Sequence, residues 1–445
     1  MNKQVFNYIV CPSVVRADEV STVRIRPLGE NTAFMAGESY TVVIREVQTA
    51  HGDYSVFTGT TYELTPDEQG DLVITHRFAG EQKHVITVTR PESDLRSPHY
   101  DITHRIKYRE NVTAVLGVYS LRPDLYGLRA FKGEMHCHTY ESDGTQDVCH
   151  TIGNYRGAGY DFMAITDHHI SMSSEKSMRL YANAPVDMTL MLGEEVHMPT
   201  EHIHVVHLGG RESVNAYFRA HKEEVRAEVD EIKKTLTLPD GISPEDYAWR
   251  IWIANKSHEF GGLSILAHPH WIWNGVFFMG EETTMQLLRD GIHDALDLCD
   301  DLTDMHQLDT SVALWNEMRV QGARIPVVAS TDSHYTDASD PQRPAVGGYT
   351  MVFASDRLPA SIMQAVRDEK SLAVFNHCTP EAIHGPYRLV KFARFLLDHF
   401  YPVYVRLCHG QGVLMSDWPL DEQELQALAT LNRRSEAFAK EFYGY

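Results

Sequence analysis

Between residues 129 and 380 one pattern recurs seven times: a short apolar run that closes, or in the fourth case opens, on polar and mostly His-bearing residues. The runs are FKGEMHCHT, YDFMAITDHH, TLMLGEEVH, HIHVVHLGG, GLSILAHPH, ALDLCD and IPVVASTDSH. Helical patterns lie between several of them. One is SVNAYFRAHKEEVRAEVDEIKK, in which Val214, Phe218, Val225, Val229 and Ile232 recur at roughly helical spacing. Strand–helix alternation of this kind implies an α/β fold with a mainly parallel sheet or barrel. In such folds functional groups gather at the C-terminal ends of the strands, where these polar clusters fall.

The flanks read differently. Residues 1–128 carry segments of period two, such as STVRIRPL, SYTVVIREV, DLVITHRF, KHVITVTR and TAVLGVYSL, separated by Gly, Pro, Asp and Asn. That pattern predicts an N-terminal antiparallel β-sandwich domain. Residues 381–445 read as a C-terminal helical extension: LVKFARFLLDHF and DEQELQALATLNRRSEAFAKEFY hold apolar residues at spacings of three and four. Asp421 and Glu424 form an N-terminal cap pair for the second. The middle domain is then 129–380. The sandwich shows no array of aromatic or basic residues that would mark a ligand site, and its expected role is packing or homo-oligomer formation.

Formal net charge is −21. A surface this acidic argues against binding nucleic acid or an anionic membrane, because attraction to phosphate needs Lys and Arg. It does not argue against cations. The six cysteines, Cys11, Cys137, Cys149, Cys299, Cys378 and Cys408, are scattered and form no CxxC pair, which suits a reducing compartment. With no signal-peptide pattern and no apolar run of membrane-spanning length, a cytoplasmic location is the expectation.

Of the 25 histidines, five precede residue 129, sixteen lie between 129 and 340, and four follow. The middle group sits at strand ends. His136 and His138 alternate with Cys137, so in an extended strand both imidazoles share a face and Cys137 points away. Ser142-Asp143-Gly144 adds a carboxylate on a tight turn. Further runs end in Asp167-His168-His169, Glu194-Glu195-Val196-His197, His268-Pro269-His270 and Asp332-Ser333-His334, and the fourth opens with His202 and His204. Imidazoles and carboxylates together, without Cys, suit Zn, Mn or Fe rather than a structural zinc cluster. They also exceed what one ion can use, which points to two or three divalent metal ions with a carboxylate as bridge.

The order HxHT, SDG, AITDHH, GEEV, a His before a short apolar run, AHP and TDSH resembles the PHP (polymerase and histidinol phosphatase) superfamily over residues 129–340. The resemblance implies a distorted (β/α)7 barrel. The contexts FKGEMHCHT, YDFMAITDH and GEEV also resemble a carbaryl-hydrolase-like branch of metallohydrolases, whose members often carry an extra N-terminal domain. Carried over residue by residue, the pattern implies that His136, His138, Glu195 and Asp332 hold one metal. Glu195, His204 and His268 hold a second, with Glu195 bridging, and Asp143, His168 and His334 hold a third. On the fourth strand the general pattern favours His204 and the branch pattern His202, which shares its face. GxE spacing favours Glu195 over Glu194.

Around these ligands, Asp167 is placed to orient an imidazole. His197 reads as a neighbour of the site, and Trp271, Trp273 and Tyr335 as wall residues of a pocket. His169 and His270 are candidates to donate a proton to a leaving group. The expected activity is that of a metal-dependent phosphoesterase acting on a small-molecule phosphate ester. Hydrolysis of a carboxylic ester, amide or carbamate at the same site is the competing enzymatic reading, and a non-catalytic metal-binding module is the reading from another class.

Overall fold

The structure is a computed structural model and describes residues 3–48, 59–89, 91, 112–199, 202–299, 305–335, 347–376 and 380–444, so Asp300 and Cys378 lie outside the described residues. The chain divides into two compact units. One comprises Met1–Leu128, Lys391–Arg406 and Arg433–Tyr445, and the other Arg129–Val390 and Leu407–Asn432.

In the first unit the strands are β1 (Tyr8–Cys11), β2 (Val14–Arg16), β3 (Val20–Pro27), β4 (Tyr40–Glu46), β5 (Thr60–Leu64), β6 (Leu72–Arg77), β7 (Gln82–Thr89) and β8 (Val112–Leu121). They form two sheets, β1-β3-β6 and β2-β8-β7-β4-β5. The period-two pattern explains the layering. Val23 and Ile25 are fully buried while Arg24 and Arg26 between and beyond them stay half-exposed and pair with Asp67 and Glu441. Val23, Ile25, Leu72 and Ile74 of one sheet meet Val42, Ile44, Ile86 and Val88 of the other in one apolar core. The pairs are antiparallel with one departure. Pro12, which lacks an N–H, ends the β1 ladder, and the chain crosses to the second sheet, where β2 lies parallel to β8.

The second unit runs β9 (Arg129–Glu134), α1 (Val148–Gly157), β10 (Phe162–Met163), α2 (Met172–Leu180), β11 (Thr189–Leu190), β12 (Gly193–Val196) and β13 (Val205–Leu208). Next come α3 (Val214–Ala220), α4 (Lys222–Thr235), α5 (Pro244–Glu259), β14 (Leu263–Leu266), β15 (Ile272–Trp273), β16 (Val276–Phe277), α6 (Glu281–Asp290) and β17 (Ala295–Asp297). It continues with α7 (Met305–Val320), β18 (Val327–Val328), β19 (Gly348–Ala354), α8 (Pro359–Arg367), β20 (Ser371–Phe375) and β21 (Ala382–His384). The single helix expected over residues 213–234 is two, α3 and α4, interrupted at His221.

The ladders fall into two mixed sheets, β11-β10-β9-β19-β20-β21 and β12-β13-β14-β17-β18. Single parallel bridges, Cys137 with Ser333 and His168 with Glu195, tie their strand ends together. The mixed α/β architecture is thus present, while the ladders make two curled sheets rather than one continuous ring of seven parallel strands. One reason is local. Residues 197–204 between β12 and β13 are fewer than a parallel crossover needs, so that pair is antiparallel. Phe131, Phe162, Val206, Ile265, Ala295 and Val328 fill the space inside the two sheets. Gly133 is required there: a Cβ on it would lie 2.0 Å from the Phe162 ring.

Three helices close the chain, α9 (Tyr387–His399), α10 (Tyr401–Ser416) and α11 (Glu422–Tyr443). At the start of α11, Asp421 N–H donates to Glu424 and Glu424 N–H to Asp421, both at 2.9 Å, a reciprocal capping box. Their sections in the first unit bring Phe400 against Phe438 at 5.4 Å and Tyr119 against Phe392 at 5.1 Å. Among the described residues no helix is long and apolar enough to cross a membrane.

Candidate metal centre

Strand alternation does what the HxH pattern requires. Just beyond β9, the His136 and His138 rings lie 5.2 Å apart, while Cys137 turns its thiol toward Ala164 O. The Cys137 backbone bridges Ser333, which draws the loop after β18 beside it. That loop carries Asp332 and His334. Asp332 adopts a left-handed φ of 47°, and its carbonyl accepts from His334 Nδ1 at 2.8 Å. His168 follows β10 and bridges Glu195 of β12. His204 precedes β13, and His268 follows β14.

Glu195 is the focus. Its Oε1 lies 2.7 Å from His204 Nδ1 and 3.2 Å from His268 Nε2. Its Oε2 lies 2.8 Å from His168 Nδ1, 3.3 Å from His136 Nε2, 3.3 Å from His197 Nε2 and 3.6 Å from His138 Nε2. Asp332 Oδ1 lies 2.9 Å from His138 Nε2 and 3.2 Å from His136 Nε2. Asp143 stands at the more exposed edge, 3.3 Å from both His168 Nε2 and His334 Nε2.

Three sets of ligand atoms each gather within 4.8 Å: His138, Asp143, His168 and His334; His136, Glu195, His268 and Asp332; and His168, Glu195 and His197. All nine ligand candidates are in this cluster, His204 through Glu195. The sets cut across the division the resemblance implies, since His138 falls with Asp143 and His268 with His136.

Burial works against charge throughout the cluster, and at Glu195, Asp332 and His168 the neighbours outweigh it. Against burial, His136 and His204 hold Glu195 well below its ordinary pKa, and His136 does the same for Asp332. His168 is pushed up to about 10, where Asp143 and Glu195 outweigh burial. Burial depresses His138 to about 4 and His204 to about 3, so both imidazoles are neutral at pH 7 and ready to ligate. A divalent cation fits this donor set. Buried atoms aimed into the cluster, His136 Nε2 and Glu195 Oε2 among them, make no hydrogen bond, and nitrogen and oxygen donors without thiolate suit Zn, Mn or Fe.

The remaining candidates divide. Glu194 points the other way and accepts from Ser213 Oγ (2.6 Å), Val214 N–H (2.5 Å) and Asn215 Nδ2 (3.0 Å) at the start of α3. His202 is exposed, with its ring 5.9 Å from Phe278. Among the described residues Asp167 accepts no hydrogen bond from an imidazole. It accepts from Thr139 N–H and Oγ1, both at 2.6 Å, from Ser142 Oγ at 2.8 Å and from Ser173, and so anchors the turn that carries Asp143. His169, at a left-handed φ of 64°, has its ring 4.8 Å from His197, and its carbonyl accepts from Arg219 at 2.6 Å. His270 turns its Nδ1 to Ser311 Oγ at 2.8 Å, and burial lowers its pKa to about 4.

Two carboxylates went unassigned in the sequence. Asp297 closes β17, with Oδ2 3.6 Å from His136 Nδ1 and bonded to Ser330. Glu134 accepts from the N–H groups of Met135 (2.9 Å) and His136 (3.0 Å) and from Thr331 Oγ1 (3.0 Å), and burial pushes it up to about 8. A signal existed for Asp297, since it is the first carboxylate of the sixth apolar run, ALDLCD. His197 lies deeper in the centre than its motif suggested, stacked on His204 at 3.8 Å.

No protein-family model matches the chain, and no curated protein matches it. Among solved structures it is similar, at 15% identity and a TM-score of 0.42, to a two-domain protein from Bacteroides vulgatus containing a predicted PHP-like metal-dependent phosphoesterase, over 61% of this chain and 71% of that one. An amidohydrolase from Chromobacterium violaceum with bound sulfate and no metal is similar at 15% identity and a TM-score of 0.30, over 46% of this chain and 87% of that one.

Proposed function

We propose that the chain is a metal-dependent phosphoesterase of small-molecule phosphate esters, with His136, His138, Asp143, His168, Glu195, His204, His268, Asp332 and His334 holding two or three divalent ions. The observation that carries this reading is the convergence of six imidazoles on the single buried carboxylate of Glu195, with Asp332 and Asp143 on either side. An imidazole that ligates a metal does so in its neutral form, so the charge of bound divalent ions would be offset only by Glu195, Asp332, Asp143 and the neighbouring Asp297, and three ions would leave the loaded centre positive. A positive centre in a chain of net charge −21 is a selective place for an anionic ester. Divalent ions held by these residues would supply Lewis acidity and a nucleophilic water. Glu195 and Asp332 hold the imidazoles in register, Asp167 and Thr139 fix the Asp143 turn, and His169 is the group proposed to hand a proton to the leaving oxygen.

The test is hydrolysis of p-nitrophenyl phosphate, bis-p-nitrophenyl phosphate and p-nitrophenyl acetate after loading with Mn or Zn. Cleavage of a phosphate substrate, lost in His136→Ala, is the expected result. Cleavage of the acetate alone, lost in the same variant, would assign the site to carbonyl chemistry. Fewer than one metal per chain after reconstitution would remove both enzymatic readings.

A further inference from the structure

The loop that carries His268 continues into a hairpin that the ligand assignments do not use. β15 and β16 pair Ile272 with Phe277 and Trp273 with Val276 around Asn274 and Gly275, whose φ values of 51° and 82° are those of a tight two-residue turn. Trp273, Val276 and Phe277 are 58%, 66% and 37% exposed, an unusual concentration of large apolar side chains on so few residues. Trp273 and Val276 are direct cross-strand partners and therefore share one face. The base of the hairpin is part of the centre. The Trp271 ring lies 5.8 Å from both His204 and His268, and Phe278 lies 4.3 Å from His204. Trp271 in turn touches Trp273 at 5.4 Å. An aromatic strip thus runs from two ligand imidazoles outward to an exposed indole.

We propose that this strip is the subsite for the organic part of the substrate, and that the substrate is a phosphoester of an aromatic or similarly flat, apolar alcohol. The inference rests on the phosphoesterase reading and adds the substrate class to it. The positive centre takes an anionic head, and what lies beside that head must cover Trp271 and then Trp273 and Val276. A short polar alcohol would leave those faces wet. A flat apolar group removes them from water and stacks on indole. The asparagine–glycine turn fixes the platform before the ligand arrives, so little ordering cost falls on binding.

The experiment titrates the metal-loaded full chain with phenylphosphonate and methylphosphonate, which cannot be hydrolysed at phosphorus, by calorimetry and indole fluorescence. Wild type is compared with Trp273→Ser, a change at an exposed position that opens no cavity. Phenylphosphonate should bind the wild type about tenfold more tightly than methylphosphonate, the share expected for one aromatic face covered, and the variant should lose that margin while binding methylphosphonate as before. Equal affinity for the two phosphonates in the wild type, or a margin unchanged in the variant, overturns the subsite and leaves the phosphoesterase reading intact. Failure of both phosphonates to bind a chain that cleaves p-nitrophenyl acetate overturns both. A wild-type dimer in sedimentation that Trp273→Ser converts to monomer assigns the strip to self-association and overturns the subsite.

Discussion

Glu195 and His204 face each other across the β12–β13 pair with Oε1 and Nδ1 2.7 Å apart, and the second oxygen of the same carboxylate is shared among four further imidazoles. No other carboxylate in the centre is contacted so widely, which makes its charge the one the ligand set depends on. Glu195→Gln keeps the shape and removes that charge. Metal content by elemental analysis should fall, and hydrolysis should drop about 100-fold or more, with the far-ultraviolet circular dichroism unchanged. A Gln variant that retains its full metal content would refute the central role.

Asp297 acts one layer out. It stands 3.6 Å from His136 Nδ1, on the side of the ring opposite Glu195 and Asp332. A carboxylate that close to the second ring nitrogen raises ligand basicity through its charge. Asp297→Asn should weaken metal binding about 10–100-fold, read by competition with a chelator, without removing an ion outright. An affinity equal to that of the wild type would show that Asp297 has no part in tuning His136.

Much of the centre was legible because its determinants are local. Alternation puts His136 with His138 and sends Glu194 away from Glu195. The Asp421–Glu424 box is a four-residue signal. The rest depends on partners distant in sequence. Strand direction in β12–β13 follows from a short link and from which strand is free to pair, not from the composition of GEEV or VVHL. Asp297 and Glu134 read as ordinary strand-end carboxylates until Ser330 and Thr331 are brought beside them. Asp167 sits next to a ligand in sequence, yet its oxygens are claimed by Thr139, Ser142 and Ser173.

The sandwich has its own acid sensitivity. His84 on β7 is fully buried, with Nε2 2.9 Å from Ser120 Oγ, and burial, then the charge of His76, lowers its pKa to about 4. An unfolded histidine titrates near 6.5. Between those values the unfolded chain takes up a proton that the folded chain does not. The contribution is therefore complete above about pH 6.5 and is lost as pH falls toward 4, about 2 kcal/mol of it by pH 5. His84→Gln keeps a polar partner for Ser120 and does not titrate. Its urea midpoint should fall less between pH 7 and pH 5 than that of the wild type, and equal falls would refute the assignment.

Gly153 marks where α1 and α10 come closest. A Cβ there would lie 2.0 Å from Ser416 Oγ and 2.6 Å from Gly412 O, and a Cβ on Gly412 would lie 2.3 Å from Gly153 O. Two effects oppose each other in Gly153→Ala. Helix propensity favours alanine by about 1 kcal/mol. The contact is with backbone, which cannot swing aside as a flexible side-chain end can, and overpacking of this kind costs about 1–3 kcal/mol. The clash should win, with a lower melting temperature for Gly153→Ala and a further loss for Gly153→Val. α1 begins at the Asp147 cap, whose side chain accepts from Cys149 and His150 N–H, directly after the turn that carries Asp143. A helix pushed off α10 should therefore also loosen that turn, and metal loss from Gly153→Ala at temperatures below its unfolding transition is the expected sign. A stabilised Ala variant with full metal content would show that the two helices separate at little cost.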